Sequence, residues 1–177
     1  QLPYSVGNAA AGSIYVRTEH ADGTATLTSA AGVKIAAASP GLFAFGGGRE
    51  PRSGLVVHAD AQGQAGAPVT SENPAVPGNV VVLWAAGLGA VNTGEASDTV
   101  PIGVPFAGPD VQAKVPVQAI VAGQHAQVLS SVLPAGSIGV YEIRVLLPSD
   151  LPADSKTPLL VVQNGYASNT VTFPVAP

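Results

Sequence analysis

The 177-residue chain contains no cysteine. Disulfides, thiolate nucleophiles and cysteine-ligated zinc are therefore excluded. Charge is scarce too: 7 basic and 11 acidic side chains give a net charge of −4. The basic residues form no cluster, and nucleic acid binding needs a basic stripe that displaces counterions. No apolar run approaches the length of a membrane-spanning helix, so no membrane insertion is expected. Aromatic residues make up 5% of the chain. Apolar residues at helical spacing are missing as well, and alanine falls among Gly, Pro and Ser rather than on a helical stripe.

What is present is strand and turn material. Gly (21) and Pro (16) form about a fifth of the residues, and 46% are hydrophobic. Such a chain folds, because disorder needs low hydrophobicity and high charge. Strands are expected at 13–18, 24–28, 32–37, 42–45, 54–58, 67–70, 79–85, 115–122, 124–132, 139–147, 158–163 and 169–175. Turns are expected at Gly46–Gly48, Asn73-Pro74, Pro77-Gly78, Gly103, Gly108-Pro109, Ala122-Gly123, Pro134–Gly136 and Asn164-Gly165. Leu151–Asp154 is expected to form at most one short helical turn. The single Trp, Trp84, lies in NVVVLWAAG, a run apolar on both faces, and reads as a core anchor. Most of Tyr4, Tyr15, Tyr141, Tyr166, Phe43, Phe45, Phe106 and Phe173 fall at positions expected to face a core. The resulting fold class is all-β, an immunoglobulin-like β-sandwich with an additional N-terminal hairpin segment.

The chain opens QLPYSV, as if already inside a domain. It has no initiator Met and no leader, and reads as a processed or partial piece. An internal repeat accounts for that opening. Pro3 falls on Pro148, Val6 on Leu151, Ile14 on Leu159, Val16 on Val161 and Gly23 on Gly165. VKIAAASP and VTFPVAP then close both stretches. Residues 1–40 thus look like the end of one sandwich, and 41–177 like a whole unit ending in the same strands, with a period of about 137 residues. Two or three strands alone bury no apolar face and leave their edges unpaired. Leu2, Tyr4, Val6, Ile14, Val16, Leu27, Val33 and Ile35 are therefore the expected subunit-interface residues, packing on the same chain or on a neighbouring copy.

The residues also carry a family resemblance. ASPGLFAFGGG, SENPAVPGNVVVLWAAGLGAVNTG, VPVQAIVAGQHAQVLSSVLPAGSIGVYEIRVLLPSDLPAD and PLLVVQNGYASNTVTFPV resemble the Solibacter-type C-terminal domain of large exported bacterial proteins. Its landmarks match Ser39–Phe43, Asn73–Gly78, Ala85–Gly89, Gly123–Val128, Gly139–Pro148 and Asn164–Asn169. QLPYSV resembles a step that closes a preceding immunoglobulin-like unit. The resemblance implies a TIG/IPT-like module and brings no catalytic residues, because the shared positions are turn-forming Gly, Pro and Asn. Arg49–Ser53 and Glu95–Pro105 match no landmark.

Chemistry is thinly represented. The three histidines, His20, His58 and His125, lie in turn or hairpin contexts, and no GxSxG elbow exists. HADG and HADAQG lack the alternating acidic spacing of a calcium loop. No enzyme, cofactor or metal is expected. The expected function is a structural subunit of an extracellular bacterial filament or surface layer, built from copies of itself head-to-tail by β-strand complementation. The alternatives are an adhesin or carbohydrate-binding module, with surface glycans as partners and a stacking face near Tyr166, and an accessory domain of a secreted enzyme.

Overall fold

The computed structural model describes residues 11–93, 100 and 103–176. Among them there are sixteen strands and no helix. Contacts divide the chain between Ala37 and Ala38 into a small N-terminal unit and a large C-terminal one.

The N-terminal unit is two small antiparallel sheets in one long hairpin. β1 (Ala11–Ile14) pairs with β4 (Ala31–Lys34), and β2 (Arg17–Glu19) pairs with β3 (Ala25–Leu27). The single strand expected at 13–18 is therefore broken after Ile14. The hairpin turns over His20–Thr24, where the His20 amide donates to the Thr24 carbonyl and Gly23 carries φ 81°. Asp22 braces this turn by accepting hydrogen bonds from the Thr24 amide and hydroxyl, which hold its carboxyl below the ordinary aspartate value.

The large unit contains twelve strands: β5 (Gly41–Leu42), β6 (Arg52–Ser53), β7 (Val56–Ala59), β8 (Ala65–Pro68), β9 (Val80–Ala86), β10 (Val111–Gln112), β11 (Gln118–Val121), β12 (Gln124–Leu133), β13 (Val140–Leu146), β14 (Asp154–Gln163), β15 (Tyr166–Ala167) and β16 (Val171–Val175). Hydrogen bonding joins them in one curled mixed sheet, ordered β6-β16-β14-β11-β12-β13-β9-β7-β8, with β10, β15 and β5 pairing β12, β14 and β9. The structure is thus all-β, but its ladders do not fall into two separate sheets. β12 provides the continuity. Gln124–Ala126 pair with β11, from Gln127 onward the strand pairs with β13, with a register shift between Val128 and Ser130, and Val132 and Leu133 also pair with β10.

The two-residue turns follow from local chemistry. Ala122 (φ 49°) and Gly123 (φ 80°) join β11 to β12, and Asn164 (φ 50°) and Gly165 (φ 80°) join β14 to β15. Two successive positive φ values match the twist of the flanking strands. The core gathers one face of each major strand: Val81, Leu83 and Ala85 of β9, Ile143 and Val145 of β13, Leu159 and Val161 of β14, and Phe173 of β16. Tyr141 is buried among them and donates its hydroxyl to the Gly89 carbonyl. Gly87 is obligatory, since a Cβ there would lie 2.1 Å from the Ser39 carbonyl oxygen.

Several expectations need correction. Leu151–Asp154 makes no helical turn; Leu151–Ala153 belong to no regular element and β14 begins at Asp154. Trp84 is half-buried, on the face of β9 opposite Leu83, with Glu142 as its cross-strand neighbour. Tyr15, Phe43, Phe45 and Tyr166 are exposed, whereas Tyr141, Phe106 and Phe173 are buried. Tyr4 lies outside the described residues. Phe43 and Phe45 point outward because their hairpin presses its small residues inward. Ala44 bridges Gly54, where a Cβ would meet Val171 at 2.8 Å.

Candidate functional site

Among the expected interface residues, Leu2, Tyr4 and Val6 lie outside the described residues. The other five belong to the N-terminal hairpin. Ile14, Val16 and Leu27 are 49%, 60% and 62% exposed, and Val33 and Ile35 are half-buried. No residue of 11–37 is buried.

The hairpin has a counterpart in the large unit. β14 runs out, a tight turn reverses the chain, and β15 and β16 return along it in two pieces. In the N-terminal unit β1 and β2 run out, and β3 and β4 return in two pieces. The break in the returning chain is built the same way in both. The Ser168 amide donates to the Val161 carbonyl at 2.8 Å, and the Val161 amide donates to Ser168 Oγ at 3.0 Å. The Thr28 amide donates to the Val16 carbonyl at 3.0 Å, and the Val16 amide donates to Thr28 Oγ1 at 2.9 Å. The sequence repeat sets Val16 on Val161, and the structure adds Thr28 on Ser168. A hydroxyl residue was the signal for this joint, but its meaning depends on a partner twelve positions away in one case and seven in the other.

The edges of the two hairpins differ. Main-chain groups alternate sides along a strand. Both groups of Val161 face Ser168, so those of Leu160 and Val162 face away, where β11 pairs Ile120 with Leu160 and Gln118 with Val162. Both groups of Val16 face Thr28, so those of Tyr15 and Arg17 face away. β1 and β2 have no strand on that side among the described residues. Arg17 forms an ion pair with Glu19 there, both side chains being exposed.

The other edges of the large unit are closed or blunted. β16 is flanked by Arg52–Ser53 in parallel, and Ala75 bridges Val175. At the far end, β8 is four residues long, carries a register shift against β7, and ends in Pro68, whose carbonyl accepts from Asn73 Nδ2. Short length, a bulge and proline are common protections of an edge.

A second feature is a shallow groove of about 610 Å³ lined by His58, Asp60, Asn79, Leu129, Ser130 and Arg144. Several of its polar groups are engaged in structure. His58 Nε2 donates to the Asn73 carbonyl at 3.1 Å, and Asp60 accepts from the Gln62 and Gln64 amides. Arg144 is paired with Glu142 at 2.8 Å. His125 is exposed on β12, and His20 Nε2 lies 3.2 Å from Thr26 Oγ1 in the N-terminal turn. The described residues contain no group of three or more His, Asp or Glu that could hold a metal, and no helix long and apolar enough to cross a membrane. The geometry worth a functional reading is therefore the unclosed hairpin. No family model, curated protein or solved structure matches this chain.

Proposed function

We propose that this chain is a structural subunit of an extracellular filament or surface layer, joined to its neighbour by β-strand complementation through residues 11–37. The observation that carries the proposal is the duplicated hairpin. In the large unit it has β11 along its edge and Leu159, Val161, Val171 and Phe173 in the core. In the N-terminal unit the same device has an edge with no strand beside it among the described residues, and exposed aliphatic side chains. Full burial of such a side chain is worth roughly 1.5–3 kcal/mol, so covering what remains exposed of Ile14, Val16 and Ile35 is worth about 1 kcal/mol each. The added main-chain ladder supplies direction and register.

In the same reading the large unit is an immunoglobulin-like sandwich. The curled sheet folds over itself, with β11, β14 and β16 forming one layer and β7, β9 and β13 the other. β12 crosses between the layers where its partner changes from β11 at Ala126 to β13 at Gln127, just ahead of its register shift, as strands do at a sandwich corner. The Solibacter-type resemblance and the low-charge, Gly- and Pro-rich composition support an exported module of this kind.

The test is deletion of residues 1–37 in the producing cell, with the chain located by immuno-electron microscopy. Loss from the surface assembly, with the remaining unit still folded, is the expected result. A truncated chain that stays in the assembly would overturn the proposal.

A further inference from the structure

The duplicated joint says what the N-terminal hairpin fits. We infer that residues 11–37 are a second closing hairpin, whose partner is a sandwich built like residues 38–176 with its own closing place vacant. This inference rests on the complementation proposed above and adds the partner's architecture and the register of the contact. In the large unit, the closing place has a defined neighbour. β11 runs antiparallel to β14, setting Val121 against Leu159, Ile120 against Leu160, Ala119 against Val161 and Gln118 against Val162. Carried over through Val16 and Val161, the partner strand runs antiparallel to Ile14–Arg17. It hydrogen-bonds through the main chain of Tyr15 and Arg17, and it sets an Ala119-like residue against Val16 and a Val121-like residue against Ile14. Both Ala119 and Val121 are 0% exposed, so small aliphatic side chains are required at those places.

The apolar face transfers in the same way. Leu159, Val161, Val171 and Phe173 are buried in the large unit. By the register of the two ladders, Leu159 with Val171 and Thr157 with Phe173 against Ile14 with Ala31 and Gly12 with Val33, their counterparts are Ile14, Val16, Ala31 and Val33, all aliphatic, and Ile35 falls on Val175. The same offset sets Leu2 and Val6 of the sequence on Leu147 and Leu151, which are 1% and 5% exposed. An identical copy offers no vacant place of this kind, because β14–β16 holds it. The blunted edges at β8 and β16 offer no comparable ladder. The partner is therefore a like sandwich that lacks its last hairpin.

The experiment gives the full chain such a partner. Residues 38–145 are duplicated and fused directly ahead of Gln1, which restores the spacing of β13 to β14. Amide exchange at Tyr15, Arg17 and Val33 is compared with the unfused chain. Exchange slowed by about 100-fold or more, and returned to the unfused rate by Val16→Asp, is the expected result. A second fusion carries Val33→Phe, which restores the ring that Phe173 supplies in the large unit. Unchanged exchange in both fusions overturns the inference. The deletion test of the proposed function is read separately: a hairpin needed for assembly but unprotected in the fusions retains that function and loses this partner.

Discussion

Two hairpins in this chain share a plan and differ in environment. The hairpin of β14–β16 closes the large unit. It pairs with β11 on one side, is flanked by Arg52–Ser53 and Ala75 on the other, and presents a buried face. The hairpin of β1–β4 has the same outward run, the same two-piece return and the same hydroxyl-to-amide joint, yet none of its described residues is buried. Hairpin geometry is thus written locally, by turn residues and one Ser or Thr. Stability comes from the neighbours, as expected for an isolated two-stranded element that is marginal in water.

The largest expected contrast lies in the core. Phe173→Ala should cost about 3–5 kcal/mol of unfolding free energy, the usual range for deleting a buried aromatic. Val33→Ala, at the matching position, should change the stability of the dilute chain by less than about 0.5 kcal/mol. Urea unfolding of both variants measures the difference. Equal losses would mean that the N-terminal hairpin already has a packed face.

Gln163 gives the next contrast. It is 1% exposed and donates from Nε2 to the carbonyls of Leu88 (3.1 Å) and Val115 (2.8 Å), tying two loops to the end of β14. Gln163→Leu should cost about 1–3 kcal/mol, because buried carbonyls are left without a donor. Thr18, its counterpart by the repeat, is exposed, and Thr18→Leu should leave unfolding unchanged.

The shared joint predicts a smaller pair of effects. Ser168→Ala removes the acceptor for the Val161 amide and should cost about 1 kcal/mol. Thr28→Ala removes the same acceptor for Val16, and should raise the amide exchange rate at Val16 without moving the unfolding midpoint. The smallest effect concerns pH. Asp22 has its folded carboxyl held below the ordinary 3.8 by hydrogen bonds from Thr24. A depressed carboxyl supports its turn fully above the ordinary value, and that support is lost as pH falls through the folded value. The Thr24 amide should therefore exchange faster, relative to its intrinsic rate, once the pH drops below 3.8. Asp22→Asn should abolish that dependence.

Much of this was legible in the residues. Ala122-Gly123 and Asn164-Gly165 make the tight turns expected of them, and most long strands lie within a few residues of their apolar runs. The repeat was visible as aligned Val, Ile and Pro positions. The two-residue strands β6, β10 and β15 were not visible, because so short a stretch carries no period. Asn169 was expected to begin a strand. Instead its side-chain amide brackets Leu42, accepting from the Leu42 amide at 2.7 Å and donating to the Leu42 carbonyl at 3.1 Å. That contact joins residues far apart in sequence, and no local pattern announces it. Phe43 and Phe45 were misplaced for a related reason: alternation shows which residues share a face, but the contact of Gly54 with Val171 decides which face is inside. Trp84 sits in a run apolar on both faces, so periodicity could not assign its side. The open edge at Tyr15 and Arg17, central to the functional reading, is likewise a property of pairing and not of composition.

Residue-resolved amide exchange of the dilute, monomeric chain tests the shared-hairpin account most directly. The account predicts that Leu160 and Val162 exchange only through global opening of the large unit, while Tyr15 and Arg17 exchange close to unprotected rates. Comparable protection of both pairs in the monomer would contradict it.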